Sequence, residues 1–546
     1  MIKDRINEDR YTAENLYALF REFYDAYSGE RARLVKCEHL YRGEHWYDVP
    51  EREEGEPRPV TPVLQSTIEN VRADLMDYLP EAIVGADESE YAALADMMTH
   101  IIRENHLRCA YDEEYASMIR DLLVGGYGVQ EIGFDPEANG GIGGAFIRHV
   151  DNRCILFDPL CSDLQQGRAV FKFTHHTRDW FSQHYPDKAD ELKEDGYLLD
   201  ISEDELLTPR YEQNILLIEC WRREYDAKKE KYHIHMLKLA GGIILEDSRK
   251  AKPEGYFAHG EYPFVITTLF ERKGSCLGYG FADMFETMQR YSDKLDQIVM
   301  KNALMASRNK LLITRASGFD ADDLRDWSKE VHTGDNLNGV TWFSTAPLPS
   351  YMLNYINEMR NSIKEESGAN TFARGMTHAG VTSGTAIAAL QEASSKRSRM
   401  AARTVHTSFR KAVCQEIEVE REFTLRERCV KQLTEITDEA GIDFIKLTSV
   451  TKALDSMRTF PAEFRITVKV IRESAFSVLN NNETVFKLVE RHIITPQTAL
   501  QLLIFDGKEQ AIALMKEERH EAEERFKNAA GAAAEMKPTA AENGIA

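Results

Sequence analysis

DMFETMQRYSDKLDQIVMKNALMASRNK, residues 283–310, carries Met284, Met288, Tyr291, Leu295, Ile298, Val299, Ala303 and Met305 at helical spacing, with neither glycine nor proline to interrupt them. The run predicts a helix of about 28 residues, roughly 42 Å long. A short mixed insert follows: the strand-like KLLIT, the acidic FDADDLRDWSKEV and the strand-like GVTWFST, closed by APLP. YMLNYINEMRNSIKEESG, from about 351 to 367, is helical again and reads as a shorter return. Two helices enclosing a small module make a stalk that carries a tip.

Upstream, helical patterns come first. Leu16, Leu19, Phe20, Phe23, Tyr24 and Tyr27 predict an amphipathic helix within 12–42, started by Thr12 and Glu14. After the acidic, proline-rich stretch Pro50–Pro62, Leu64, Ile68, Val71, Leu75 and Leu79 resume the period, and Pro80 ends it. Further helices are expected from about Glu88 to Leu107 and from Tyr111 to Leu123, stopped by Gly125, Gly126 and Gly128. The period then changes. VQEIGFD and GAFIRHV flank a turn-rich loop, and CILFDPL, AVFKFTHHT, NILLIECWRREYD and KYHIHMLKLAGGIIL continue as strands to about residue 246, with an acidic helical piece at Trp180–Leu207. Helices first and antiparallel strands after predict a helix-rich α+β fold.

Downstream, ANTFARGMTHAGVTSGT is rich in Gly, Thr, Ser and Ala and reads as a mobile loop feeding a long helix at about 384–427. Residues 390–411 hold Lys396, Arg397, Arg399, Arg403, Arg410 and Lys411 against the single acid Glu392. FRITVKV (464–470) reads as a returning strand, followed by two helical segments, the last at about 507–530, and an Ala-rich tail expected to be disordered.

The whole chain has 546 residues, 43% hydrophobic and 29% charged, which suits three or four globular domains at about 150 residues each. Its net charge of −22 repels nucleic acid on average, so any contact with DNA must be local or weak. Cys37, Cys109, Cys154, Cys161, Cys220, Cys276, Cys414 and Cys429 are scattered without a C-x-x-C pair, as expected of reduced structural thiols. No apolar run approaches a membrane span, and the N-terminus has acids where a signal peptide would be apolar, so a soluble, cytosolic protein is expected.

Motifs for chemistry are sparse. The G-x-x-x-x-G-K-[ST] phosphate loop and H-E-x-x-H are absent, and Gly278 and Gly280 lack a third glycine at dinucleotide spacing. His233 and His235 share a strand face, and His175 and His176 lie near them in sequence, but no nearby Cys or carboxylate set completes a metal site. Asp320, Asp322, Asp323 and Asp326 read either as a solvated helix start or as ligands for divalent ions in nucleic-acid processing. The basic stripe reads either as a face paired to acidic neighbours, in this chain or another subunit, or as a phosphate contact.

Six strings in order carry a resemblance: STIENVRADLMDYLPEA (66–82), DLLVGGYGVQEIGFD (121–135), CILFDPLCSDLQQGRAVFKF (154–173), YPFVITTLFERKGSCLGYGFADM (262–284), QRYSDKLDQIVMKNAL (289–304) and SGANTFARGMTHAGVTSGTAIAALQEASSKRSRMAAR (367–403). Together they resemble the portal, or head-to-tail connector, proteins of tailed bacteriophages, in particular the larger short-tailed-phage type. The resemblance implies a wing at 1–282, a stem helix at 283–310, a clip at 311–349, a second stem helix at 350–368, and a channel loop at 369–383. Beyond these it implies the long wing helix and returning strands at 384–478, a helical crown at 479–530 and a tail at 531–546. Only about 65 residues follow Leu479, so the crown is expected to be short.

The resemblance further implies a structural protein with no catalytic residue, metal or cofactor. It would form a homo-oligomeric ring, a dodecamer, at a capsid vertex of the virion, after assembly in the host cytoplasm with capsid and scaffolding proteins and without a membrane. Double-stranded DNA would pass the channel loop, where Asn370, Thr371, Arg374, Thr377 and His378 are the candidate contacts. The clip, with Asp320, Asp322, Asp323, Asp326 and Trp327, would face the terminase large subunit and later the tail adaptor or head-completion protein. Lys396, Arg397, Arg399 and Arg403 are the candidate basic side of the subunit interface. Two other readings remain open from sequence: a metal-dependent nucleic-acid-processing enzyme, and another structural phage component of a tail or baseplate.

Overall fold

The computed structural model describes residues 11–52, 54–77, 79–86, 92–192, 214–226, 230–307, 310–326, 328–343, 348–368, 396–424, 464–470, 475–491, 493–496, 499 and 503. The chain divides into two units, Met1–Val470 and Ile471–Ala546. The first opens with α1 (Ala13–Ala26), whose Thr12 hydroxyl accepts from the Asn15 amide at 3.4 Å, and α2 (Ser28–Arg42). The expected single helix is broken at Tyr27, whose φ of −89° and ψ of 3° leave the helical region and turn the chain. Phe20 and Phe23 of α1 pack edge-on against Phe171 at 5.5 and 5.2 Å, which explains why the apolar face of this helix is buried.

α3 (Val63–Met76) buries Leu64, Ile68, Val71 and Leu75, as the periodicity predicts. The helix stops at Met76, short of Leu79 and of the Pro80 expected to end it, and Pro80 instead opens a strand, β1 (Pro80–Ala86). Then come α4 (Ala92–Arg108) and α5 (Tyr111–Gly125). Gly126 ends α5 at φ +90°, a left-handed conformation that glycine adopts freely. β2 (Tyr127–Asp135) and β3 (Gly144–Val150) form the expected pair, and β4 (Ile155–Leu156), β5 (Ala169–Thr177), α6 (Arg178–His184), β6 (Asn214–Asp226), β7 (Lys231–Ala240) and β8 (Ile243–Asp247) follow. Of the acidic piece expected to be helical at Trp180–Leu207, α6 and a single 3₁₀ turn, Ala189–Glu191, are described; 193–213 lie outside the described residues.

β4 to β8 make a five-stranded antiparallel sheet in sequence order, and β9 (Phe264–Thr268) joins β2 and β3 in a second sheet, β3-β2-β9. After the two-residue pair β10 (Phe270–Glu271) and β11 (Gly278–Tyr279), the long helix α7 runs Phe281–Ser307. The insert contains β12 (Lys310–Ile313), the one-turn helix α8 (Ala321–Arg325) and β13 (Val340–Phe343), with β12 and β13 paired antiparallel. α9 (Ser350–Ser367) returns alongside α7.

α10 (Lys396–Phe423) lies across β2, β3 and β9 and buries Val405, Phe409, Ala412, Val413 and Ile417. Two further inward positions are carboxylates, Glu416 and Glu420, both wholly buried and both accepting from the Asn105 side-chain amide, at 3.0 and 2.8 Å. β14 (Phe464–Val470) closes the unit as the antiparallel partner of β1, in register from Pro80 opposite Val470 to Ala86 opposite Phe464. In the second unit, α11 spans Ala475–Glu490. The helix expected at 507–530 and the tail at 531–546 lie outside the described residues, as do the loop at 369–383 and the first turns of the helix expected from 384. The fold is α+β, with antiparallel sheets.

Arg33 of α2 sits where four elements meet. It forms ion pairs with Glu30 and with Asp283 at the start of α7, and donates to the carbonyls of Gly125 (2.8 Å) and Gly278 (3.4 Å). Asp283 also accepts from the Gly280 amide at 3.0 Å. The root of the long helix is therefore fixed by charge-assisted hydrogen bonds as well as by the buried Phe281 and Phe285.

Candidate functional site

The face that α7 buries is not its apolar stripe. Periodicity locates the helix, but Tyr291, Ile298 and Met305 are 56, 46 and 54% exposed, and the buried positions are Phe281, Ala282, Phe285, Gln289, Ser292 and Asp293. Long-range hydrogen bonds explain the inversion. Gln289 accepts from the Leu64 amide (3.1 Å) and donates to the Thr61 carbonyl (2.8 Å), and Asp293 accepts from the Thr61 amide (3.2 Å) and faces His45 at 2.5 Å. On α9, Arg360 donates to Ser292 (3.2 Å) and Thr61 (3.1 Å) and pairs with Asp296. The polar side is satisfied inside the chain, and the apolar side is left facing out.

The insert continues that exposed apolar surface. Leu312, Val331, Leu337, Trp342 and Phe343 are all exposed, and so are Tyr351, Leu353 and Tyr355 at the start of α9. Large apolar residues so concentrated at the end of two helices mark an interaction surface. A two-stranded sheet such as β12-β13 is marginal alone in water, which adds to the case for a partner there. The signal in the sequence was the Val340–Phe343 strand and the i, i+4 tyrosines at 351 and 355.

The acids of the insert are engaged locally. Asp320 caps α8 by accepting from the Asp322 amide at 3.2 Å, and Asp322 pairs with Arg325 at 3.2 Å. Asp323 pairs with Lys329 and lies 3.4 Å from His332, which together hold its carboxyl below the usual range. Asp326 accepts from the side chain and amide of Ser328, at 2.5 and 3.0 Å, and is lowered by them. Trp327 lies outside the described residues.

Asn370, Thr371, Arg374, Thr377 and His378 also lie outside the described residues. Lys396 and Arg397 open α10, where side chains are described from Ser398 onward. Arg399 is half-buried, whereas Arg403, Arg410 and Lys411 are exposed on the outer face of α10. His233 and His235 are buried on β7; His235 lies 3.9 Å from Glu224, and burial pushes its pKa down. His176 meets the Thr174 hydroxyl at 2.9 Å and stacks on Trp180 at 3.9 Å. Among the described residues no three His, Cys, Asp or Glu side chains are arranged to hold a metal ion.

Two features had no sequence signal. Among the described residues the outer edge of β9 has no partner strand and borders a groove of about 970 Å³, and Gln415 of α10 reaches over to the Tyr262 carbonyl beside it at 3.1 Å. Comparison with curated proteins found no match. The model of the phage P22-like portal protein family matches residues 17–467, from α1 through the insert and α10 into β14. By that match over most of its length, the chain belongs to the phage P22-like portal protein family.

Proposed function

We propose that this chain assembles with copies of itself into a ring, a dodecamer, at one vertex of a phage capsid. The ring is the channel through which double-stranded DNA is packaged and later ejected. Residues 1–282 and 384–478 form the wing, α7 and α9 the stem, and 311–349 the clip, with 369–383 facing the channel and 479–530 a short crown. The clip docks the terminase large subunit during packaging and the tail adaptor afterwards; scaffolding and capsid proteins surround the wing. Its role is structural, without a cofactor, in host cytoplasm during assembly and then in the virion.

The observation that carries this reading is the family match, joined to an exposed apolar surface on a small module at the end of two packed helices. The charge agrees with it. A lumen that lets a polyanion slide in either direction must bind it weakly, and a chain of net charge −22 does so. Arg374 and His378 supply brief phosphate contacts, and Asn370, Thr371 and Thr377 uncharged ones. Lys396, Arg397, Arg399 and Arg403 supply the basic side of a head-to-tail interface, as cyclic assembly requires two different faces.

Electron microscopy of the purified protein, with native mass for the subunit count, tests the proposal. Rings with a hole wide enough for duplex DNA are the expected result. A subunit that stays monomeric with scaffolding protein present and cleaves DNA with Mg²⁺ would overturn it.

A further inference from the structure

The sheet β3-β2-β9 has two edges, and they differ. At the β3 edge the outward amides of Ala145 and His149 donate to the carboxylates of Glu420 (2.7 Å) and Glu114 (2.6 Å), so side chains close it. At the other edge, the Ile132 amide donates to the Pro263 carbonyl and the Leu269 amide to the Gly126 carbonyl, both at 2.9 Å. With Val129 opposite Ile266, this register turns the polar backbone groups of Pro263, Val265, Thr267 and Leu269 toward β2. Those of Phe264, Ile266 and Thr268 point away from the sheet, into the groove of about 970 Å³.

Two glutamines mark the groove as built for a strand. Gln165 already pairs with the edge one step earlier: its side-chain Oε1 accepts from the Tyr262 amide (2.8 Å) and its Nε2 donates to the Tyr262 carbonyl (3.1 Å), mimicking the bonds of a neighbouring strand. Gln415 lines the groove from α10 and is 5% exposed. Its amide donates to Tyr262 and Glu261, but its buried Oε1 has no donor among the described residues. A buried acceptor left so keeps its full desolvation cost unless an incoming N–H satisfies it.

We infer that an extended segment of the neighbouring copy in the ring docks in this groove as an added strand against Phe264–Thr268, and that one of its N–H groups meets Gln415 Oε1. The inference rests on the portal reading. Among the described residues every subunit presents the same open edge, an aggregation hazard if uncovered, so its cover must be present once per subunit. In a ring of identical chains the next copy meets that requirement by symmetry, and a head-to-tail contact needs an accepting face unlike the donating one. Main-chain pairing supplies the affinity, and Ile266, Thr268 and Lys411 at the groove select the side chains.

Hydrogen exchange of the full-length protein, as separated subunits and as rings, tests this by mass spectrometry with fragmentation to single residues. The expected result is slowing by more than about tenfold at Phe264, Ile266 and Thr268 on assembly, with Val265 and Thr267 protected in both states. A variant adds a second test: Ile266→Pro removes one outward N–H and no bond to β2, so the subunit is expected to keep its thermal midpoint while rings fail to form. Rings whose three amides exchange as fast as in subunits overturn the inference alone. Protection already complete in separated subunits also overturns it, because the chain's own residues are then the cover. A subunit that stays monomeric with scaffolding protein present and cleaves DNA with Mg²⁺ removes the portal reading, and this inference with it.

Discussion

His45 Nδ1 lies 2.5 Å from Asp293 Oδ2, although the two stand 248 positions apart in sequence, and both side chains are sealed from water. The ring's other nitrogen is 3.0 Å from the Leu40 carbonyl, so this contact ties the end of α2 to the middle of α7. Asp293→Ala strands the imidazole and the Thr61 amide together and is expected to cost about 3–5 kcal/mol. Asp293→Asn, which keeps an acceptor, costs less. Urea denaturation of both variants measures the difference.

His149 gives the fold a pH dependence. Burial opposes its charge, but the hydrogen bond to Asp121 at 2.9 Å and the negative charges of Asp121, Asp151 and Glu114 outweigh that and raise its pKa above the ordinary value. A raised value means stability fully present below the unfolded pKa of about 6.5 and lost as pH rises through the folded one. Urea midpoints from about pH 6 to about pH 9 are expected to fall, and His149→Gln to flatten that slope.

Gly126 cannot carry a side chain. Its φ is +90°, and a Cβ there would come within 2.2 Å of the Tyr279 carbonyl carbon, which is main chain and cannot swing away. Gly126→Ala is expected to destabilise by more than about 3 kcal/mol or to abolish soluble expression, read by thermal unfolding.

The exposed apolar residues of the insert are expected to serve contacts with partners rather than the fold of the subunit. Leu337→Ser with Trp342→Ser, at positions 81 and 60% exposed, should shift subunit stability by no more than about 0.5 kcal/mol. The same variant should lose docking of the terminase large subunit in co-sedimentation.

Reversing charge on α10 separates assembly from folding. Arg403 is exposed and Arg399 half-buried, so Arg399→Glu with Arg403→Glu should leave a folded subunit that assembles poorly. Negative-stain microscopy and native mass read the ring yield, and unchanged rings would sink the assignment of this face.

The local parts of the fold were legible. α7 begins two residues before the helix predicted from residue 283, and β12 and β13 fall on KLLIT and VTWF, because these signals lie within one run of sequence. Three features were not. The break at Tyr27 has no proline or glycine to announce it at that residue. β1 opens on a proline that reads as a stop, and its partner β14 lies far along the chain. The buried side of α7 is chosen by Thr61, Leu64 and His45, which no pattern within residues 283–310 can reveal. At the candidate surface, the acids of the insert announced themselves by composition. The free edge of β9 did not, because an open edge is defined by a register with β2 that sequence periodicity leaves unset.

The Arg33 junction has a mechanical meaning. α7 spans 27 residues, roughly 40 Å, with the insert at one end and the Glu30–Arg33–Asp283 ion pairs at the other. Because Arg33 also grips the carbonyls of Gly125 and Gly278, one guanidinium anchors the start of that helix to the corner where α5 ends and β2 begins.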